Sequence, residues 1–233
     1  VPRLACTIIS CRATGCENPA MKVWLLLAGD YAAPSWSVAE HDIVIAVDGG
    51  MCHAAALGVM PDLWIGDFDS ADTDLQQRYA DVPRQTHPED KDATDFELAL
   101  AIVENNYPQA EVLSVIGGLG GELDHTFGNL WVLPHFGLSA LVWGKVQHIA
   151  YLNSATLDCE LAEGEKVSVF ALTPLSGMHY SGLRWEAPAD GLQPFSALAA
   201  RNISAAEQVS IGWQQGHGLV ILPQTAQNLR ITH

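Results

Sequence analysis

The decapeptide Pro61-Asp62-Leu63-Trp64-Ile65-Gly66-Asp67-Phe68-Asp69-Ser70 decides how this chain is read. Its apolar run, Leu63 to Ile65, reads as a buried strand, because Gly66 stops it and carboxylates follow at once. If the backbone stays extended there, Asp67 and Asp69 point to the same side, and a pair of hard oxygen ligands at a strand end suits Mg²⁺. The same residues can also be read as a turn leading to a helix N-cap, with Asp69 or Ser70 accepting backbone N–H groups. The residues on either side decide between the two.

Upstream, Val23 to Ala28 and Ile43 to Val47 are nearly unbroken apolar runs, the first ending at Gly29-Asp30 and the second at Asp48-Gly49-Gly50. Such runs suit parallel strands buried on both faces, with ligands gathering at their carboxyl ends. Met51 to Leu57 and Asp72 to Ala80 read as short helices. Lys91 to Tyr107 is the clearest helix, since Phe96, Ala99, Leu100 and Val103 fall at i, i+3, i+4 and i+7. Glu111 to Ile116 is a further strand closing on Gly117-Gly118-Leu119-Gly120-Gly121. Leu123 to His135 is helical with Pro134 near its end, and Leu138 to Val142 is one more strand. Beyond about residue 145 the runs shorten and alternate, as in Glu165 to Leu172, Gln208 to Ile211 and Val220 to Leu222, which is the texture of a small antiparallel β-domain.

Carboxylates sit at every strand end of the first part. Asp48 follows one strand, Asp67 and Asp69 another, Asp92 and Asp95 open the long helix, and Asp124-His125 follows the glycine cluster. Each one alone is explained as a cap, Asp92 for instance as N-cap with Asp95 in the first turn. As a set on one sheet edge they repel one another unless a cation compensates. Gly117 to Gly121 resembles a loop whose amides cradle phosphate, though its spacing is that of neither the Walker loop nor the dinucleotide fingerprint. His125 and Asn129, four apart, share one helix face; His125 also reads as a satisfied core or capping histidine.

Composition narrows the function classes. The 233 residues are 48% hydrophobic and 16% charged, a packed globular protein. The net charge of −16 disfavours nucleic acid as a partner and favours a cationic small substrate. No apolar run reaches the roughly 18 to 20 residues of a membrane span. The five cysteines, Cys6, Cys11, Cys16, Cys52 and Cys159, form no disulfide or zinc pattern, so a reducing cytoplasm is expected. Residues 1–20 differ in texture from the rest and are read as an N-terminal extension outside the fold.

Taken together, these motifs resemble the thiamine pyrophosphokinase family. The matching pieces are Asp48-Gly49-Gly50, Pro61-Asp62 leading to Gly66-Asp67-Phe68-Asp69-Ser70, Lys91-Asp92-Ala93-Thr94-Asp95, and Gly120-Gly121-Glu122-Leu123-Asp124-His125 with Asn129-Leu130. Gly182-Leu183-Arg184-Trp185 and Asn202 are similar to later segments of the family. The resemblance implies a Rossmann-like α/β catalytic domain for ATP and Mg²⁺ over 21–144 and a β-sandwich thiamine-binding domain over 145–233. It further implies a homodimer with the active site at the interface, and transfer of a diphosphoryl group from ATP to the hydroxyl of thiamine with release of AMP.

Carried onto this chain, the resemblance makes Asp67, Asp69 and Asp95 the Mg²⁺ and phosphate centre. Asp48, Gly49, Asp92, Thr94 and Gly118 shape the same pocket, with Asp124, His125 and Asn129 near the substrate. Asp92 and Asp124 are both open as the base that takes the alcohol proton. Trp185 is the candidate to stack on thiamine's cationic rings, Trp213 has a similar claim, and either tryptophan can instead be core. Glu122 stands where the family commonly has Arg, and Arg201 precedes Asn202 where Ser is expected. These departures leave open a diphosphokinase acting on another alcohol such as a pterin, or a non-catalytic thiamine- or nucleotide-binding module.

Overall fold

The computed structural model describes residues 21–68, 73–86 and 93–233. The expected N-terminal extension, Asp69 and Asp92 lie outside the described residues. Among the described residues, fourteen strands and four α-helices follow in order. The first six strands are β1 (Lys22–Leu26), β2 (Ile43–Val47), β3 (Leu63–Gly66), β4 (Arg84–Thr86), β5 (Val112–Ile116) and β6 (Ser139–Trp143). Between them come α1 (Ala54–Leu57), α2 (Thr73–Arg78), α3 (Asp95–Asn106) and α4 (Leu123–Val132). Then follow β7 (Gln147–Asn153), β8 (Thr156–Glu160), β9 (Lys166–Ala171), β10 (His179–Ser181), β11 (Asn202–Ile203), β12 (Gln208–Gly212), β13 (His217–Pro223) and β14 (Gln227–Thr232).

One sheet has ten strands in the order β11-β9-β13-β7-β6-β5-β1-β2-β3-β4, and a second has four in the order β10-β12-β8-β14. From β6 to β4 every neighbour is parallel, whereas β7, β13, β9 and β11 continue the same sheet antiparallel. The parallel part explains the unbroken apolar runs, since β5 is buried at all five positions. Its carboxyl edge gathers the ends of β1, β2, β3, β5 and β6. The sheet runs through residues 144 and 145 without a break, because β7 turns back from β6 and pairs with it, Val142 opposite Ile149.

Alternation along β1 divides the core. Val23 and Leu25 face α3, where Phe96, Leu100 and Val103 complete one layer. Trp24 and Leu26 face the other way, in a core that continues to Leu157, Val209 and Ile211 of the four-stranded sheet and to Trp213 just beyond β12. Four tryptophans are fully buried, and each indole N–H has an acceptor, which removes the penalty of hiding it. Trp24 donates to Asp42 Oδ2 at 2.9 Å, Trp143 to Ser114 Oγ at 2.6 Å, Trp213 to the Gly216 carbonyl at 3.0 Å and Trp64 to the Asp48 carbonyl at 2.9 Å.

Several helices are shorter than their patterns predict. α3 begins at Asp95, not Lys91, because Thr94 caps it: the Thr94 hydroxyl accepts from the Glu97 amide at 3.2 Å while the Glu97 carboxylate accepts from the Thr94 amide at 2.8 Å. The cap is thus Thr94 and not Asp92. Met51 to Leu57 is a 3-10 turn over Asp48–His53 followed by only four α-helical residues, tightened by the approach of Gly50 to the end of β1. α4 ends at Val132 and tightens into a 3-10 turn at Leu133–His135, since Pro134 has no N–H to extend the ladder. β4 and β7 are strands that the sequence pattern does not mark. β4 is three exposed residues with no apolar signal, and β7 mixes polar ends with a buried centre.

Candidate active site at the carboxyl edge of the sheet

Asp48 is the centre of the edge. It leaves β2 in the left-handed region, φ 45°, a conformation that a short polar side chain tolerates. Its carbonyl is tied down by the buried Trp64 indole. Gly66 gives its carboxylate room: a Cβ there would lie 1.9 Å from Asp48 Oδ1. The glycine that reads in the sequence as a strand stop therefore makes space for the carboxylate of the neighbouring strand. Phe68, two residues on, also has a positive φ of 64°, so both chain ends that frame the site carry strained backbone.

Three acidic residues converge here. The Asp48 carboxyl hydrogen-bonds that of Asp95, receives the backbone N–H of Asp67, and feels the charges of both. Burial first, then the Asp95 hydrogen bond and the two neighbouring charges, push its pKa up to about 7. Two carboxyl groups in direct contact share a proton or need a cation between them, and oxygen donors of this type fit Mg²⁺, which takes one or two carboxylates and completes its shell with phosphate and water oxygens. Among the described residues, the set of three potential ligand atoms lying within 4.8 Å of one another is a different one, Glu122, Asp124 and His125, all exposed.

A cleft of about 390 Å³ opens beside Asp48 and Asp95, walled by Gly29, Gly117, Gly120 and Gly121 and closed by His125 and Asn129. His125 and Asn129, four apart on α4, both line its wall. Asn129 Nδ2 also donates to the Gly118 carbonyl at 3.1 Å, fixing α4 to the glycine loop. Gly118 itself points inward, where a Cβ would press on Val115 and Val142 at 2.9 Å. Gly49 is exposed, Asp124 is exposed with its carboxylate accepting from the His125 amide at 2.9 Å, and neither lines the cleft. The Thr94 hydroxyl is engaged in the cap, which places Asp95 at the first position of α3. His53, which sequence reasoning passed over, holds the Gly29 carbonyl at 3.0 Å from beneath, a link between distant residues with no local signal.

Trp185 and Asn202 lie elsewhere, in the lining of a second cleft. This cleft of about 500 Å³ is lined by Trp185, Tyr180, Pro188, Leu198, Arg201 and Asn202 among others, and shares no residue with the first. Trp185 is 53% exposed. Asn202 is buried and clamps the Trp185 backbone, accepting from its amide at 3.1 Å and donating to its carbonyl at 2.8 Å. Trp213 is 2% exposed and spends its N–H on Gly216, so its place is the core.

A parallel sheet with acidic residues and a glycine-lined cleft at its carboxyl edge defines an α/β protein of the ligand-binding type, extended by antiparallel sheet. Residues 36–140 match the family model described as thiamin pyrophosphokinase, catalytic domain. A thiamine pyrophosphokinase of Oryza sativa subsp. japonica is 27% identical over 165 residues, 65% of this chain and 62% of that protein. One of Bacillus subtilis (strain 168) is 32% identical over 136 residues, 56% of this chain and 63% of that protein. The chain thus spans somewhat less than two thirds of these relatives in sequence. The crystal structure of thiamine pyrophosphokinase from Bacillus subtilis superposes with a TM-score of 0.73, covering 88% of this chain and 99% of that one at 20% identity; the enzyme from Candida albicans gives 0.63, covering 87% and 90% at 14%. At these identities the structures show the shared fold. Over residues 36–140 the chain is similar to the catalytic domain of the thiamine pyrophosphokinase family.

Proposed function

We propose that this protein is a Mg²⁺-dependent thiamine diphosphokinase, transferring the terminal diphosphoryl group of ATP to the hydroxyl of thiamine and releasing AMP. The observation that carries the reading is the Asp48–Asp95 carboxyl contact, with Asp67 beside it, at the mouth of a glycine-walled cleft. The alcohol oxygen forms a bond to the β-phosphorus, the bond from that phosphorus to the α-bridging oxygen breaks, and the alcohol proton passes to a carboxylate, Asp92 or Asp124. Asp67, Asp69 and Asp95 would hold the Mg²⁺, which when bound neutralises charge on the phosphates. Asp48 orders Asp95 through their hydrogen bond, Thr94 acts through the helix cap, and the amides of the glycine loop face the phosphates. His125 and Asn129 border the substrate.

In the same reading, 21–144 is a Rossmann-like catalytic domain and 145–233 a β-sandwich that binds thiamine, Trp185 supplying the stacking face and Asn202 holding it in place. The two clefts serve one reaction if two copies of the chain bring them together. Leu123, Phe127 and Trp131, spaced by four along α4 and 71%, 62% and 63% exposed, give that homodimer an apolar face beside the first cleft. The free thiols Cys52 and Cys159 suit a cytoplasmic setting, and no helix among the described residues is long and apolar enough to cross a membrane.

Incubation with thiamine, ATP and Mg²⁺ followed by chromatography tests the reading. Thiamine diphosphate and AMP in equal amounts, both abolished by EDTA, are expected. AMP formed with a pterin but not with thiamine would assign another alcohol, and thiamine binding with no product would make the chain a binding module.

A further inference from the structure

We infer that Lys145 binds a phosphate of the nucleotide, and that Asp30 holds its ammonium beside the cleft until a phosphate oxygen takes Asp30's place. The inference rests on the reading of the first cleft as a nucleotide site.

The cleft has a charge problem. Among the described residues its wall carries Asp48, Asp95 and Glu122 and neither lysine nor arginine. A triphosphate brings about four further negative charges, and a divalent ion offsets only half of them. The whole-chain charge of −16 adds to the repulsion. Glu122 makes this worse at the point where the glycine loop enters α4.

Lys145 stands where it can answer. It follows β6, whose last residue, Trp143, pairs with Ile116 at the end of β5, so it emerges at the same sheet edge as the cleft. Gly144 fixes the turn: a Cβ there would strike the Gln147 carbonyl at 2.3 Å and Leu119 Cδ1 at 2.8 Å, and its amide donates to His148 Nδ1 at 3.2 Å. The Lys145 side chain therefore starts against the glycine loop. Its Nζ lies 3.2 Å from Asp30 Oδ1.

Asp30 is itself packed on the loop. Its amide donates to the Leu119 carbonyl at 3.1 Å, and a Cβ on Gly120, a residue of the cleft wall, would sit 2.7 Å from its carboxylate. The ion pair thus carries a positive charge to the loop that faces the phosphates. Both side chains are about half exposed, 56% and 49%, so the pair contributes little to stability and exchanges at small cost. A phosphate oxygen, more highly charged than a single carboxylate, is the stronger acceptor.

The test is calorimetric titration of the full chain with Mg·ATP and no thiamine, beside Michaelis constants for both substrates. Lys145→Ala is expected to weaken Mg·ATP binding about fivefold, and Lys145→Arg to restore it, on the scale of one charge-assisted contact at a half-exposed site. The Michaelis constant for thiamine and the melting temperature should stay at their wild-type values. Asp30→Asn, which frees the ammonium, should leave Mg·ATP binding equal or tighter. Lys145→Ala binding within twofold of wild type would overturn the inference, as would Asp30→Asn weakening binding as much as Lys145→Ala. A wild-type chain that does not bind Mg·ATP would overturn the nucleotide reading of the cleft together with this inference; one that binds it with the expected variant pattern but forms no thiamine diphosphate would leave Lys145 in place and remove the proposed reaction.

Discussion

The two clefts of this chain are built by opposite means. The one at the sheet edge has a polar floor, with carboxyls from a strand end and a helix start in contact and glycine backbone for walls. The one beside Trp185 is apolar and open, with a half-exposed indole held by the backbone clamp of Asn202. The first holds, among the described residues, Asp48, Asp95 and Glu122 with no opposite charge in its lining, whereas the second sets an indole face beside one acidic and one basic residue, Glu186 and Arg201. That contrast matches the two halves of the proposed reaction, phosphate and metal on one side and a ring cation on the other. The two clefts share no lining residue within one chain, as the proposed pairing of two copies expects.

The strongest way to break the contrast is Asp95→Asn. Turnover should fall by at least about 100-fold, the scale for losing one pre-placed electrostatic group, while the metal-free melting temperature holds or rises as the contact between carboxyls is relieved. Steady-state assay and calorimetry on the same preparation decide it; retained turnover would move the phosphate chemistry elsewhere.

Next comes the tryptophan pair. Trp213→Ala should cost about 3–5 kcal/mol in denaturant unfolding, because it empties a buried site. Trp185→Ala should leave stability almost unchanged and raise the Michaelis constant for thiamine about tenfold, with that for ATP within about twofold. Equal effects on both substrates would make Trp185 structural.

A subtler sharpening uses pH. The folded pKa of Asp48, about 7, lies above its ordinary value of 3.8, so the native state binds the extra proton between them. Stability from this group is full below the lower value and is lost as pH rises through the higher one. Metal-free protein should therefore lose melting temperature from pH 4 to 7 more steeply than Asp48→Asn, whose side chain still tolerates the positive φ, and Mg²⁺ should reduce the loss. Parallel profiles would show that Asp48 ionises freely. The smallest effect is at the helix start, where Thr94→Ala should cost about 1 kcal/mol of stability and Thr94→Ser should restore it.

How much of this was legible depended on whether the signal was local. The parallel strands announce themselves because burial on both faces leaves unbroken apolar runs, and the acidic edge does because Asp48 and Asp67 come at the ends of such runs while Asp95 opens a strongly periodic helix. The capping box over Thr94 and Glu97 is also present in the sequence, but Asp92, two residues earlier, offers an equally good N-cap residue type. What the sequence could not carry were relations between distant residues. Gly66 matters because Asp48, 18 positions earlier, fills the space of its missing Cβ. β4 has no apolar residue to mark it, and the pairing of Asp30 with Lys145 spans most of the α/β region. Trp185 and Trp213 were indistinguishable by type, and only burial separates them.

The most direct test of the central claim is phosphorus NMR of the protein with thiamine, ATP and Mg²⁺. AMP and thiamine diphosphate growing in together, with no ADP, is the result that diphosphoryl transfer at this edge requires. ADP appearing with thiamine monophosphate, or ATP persisting unchanged in the presence of bound thiamine, would contradict it.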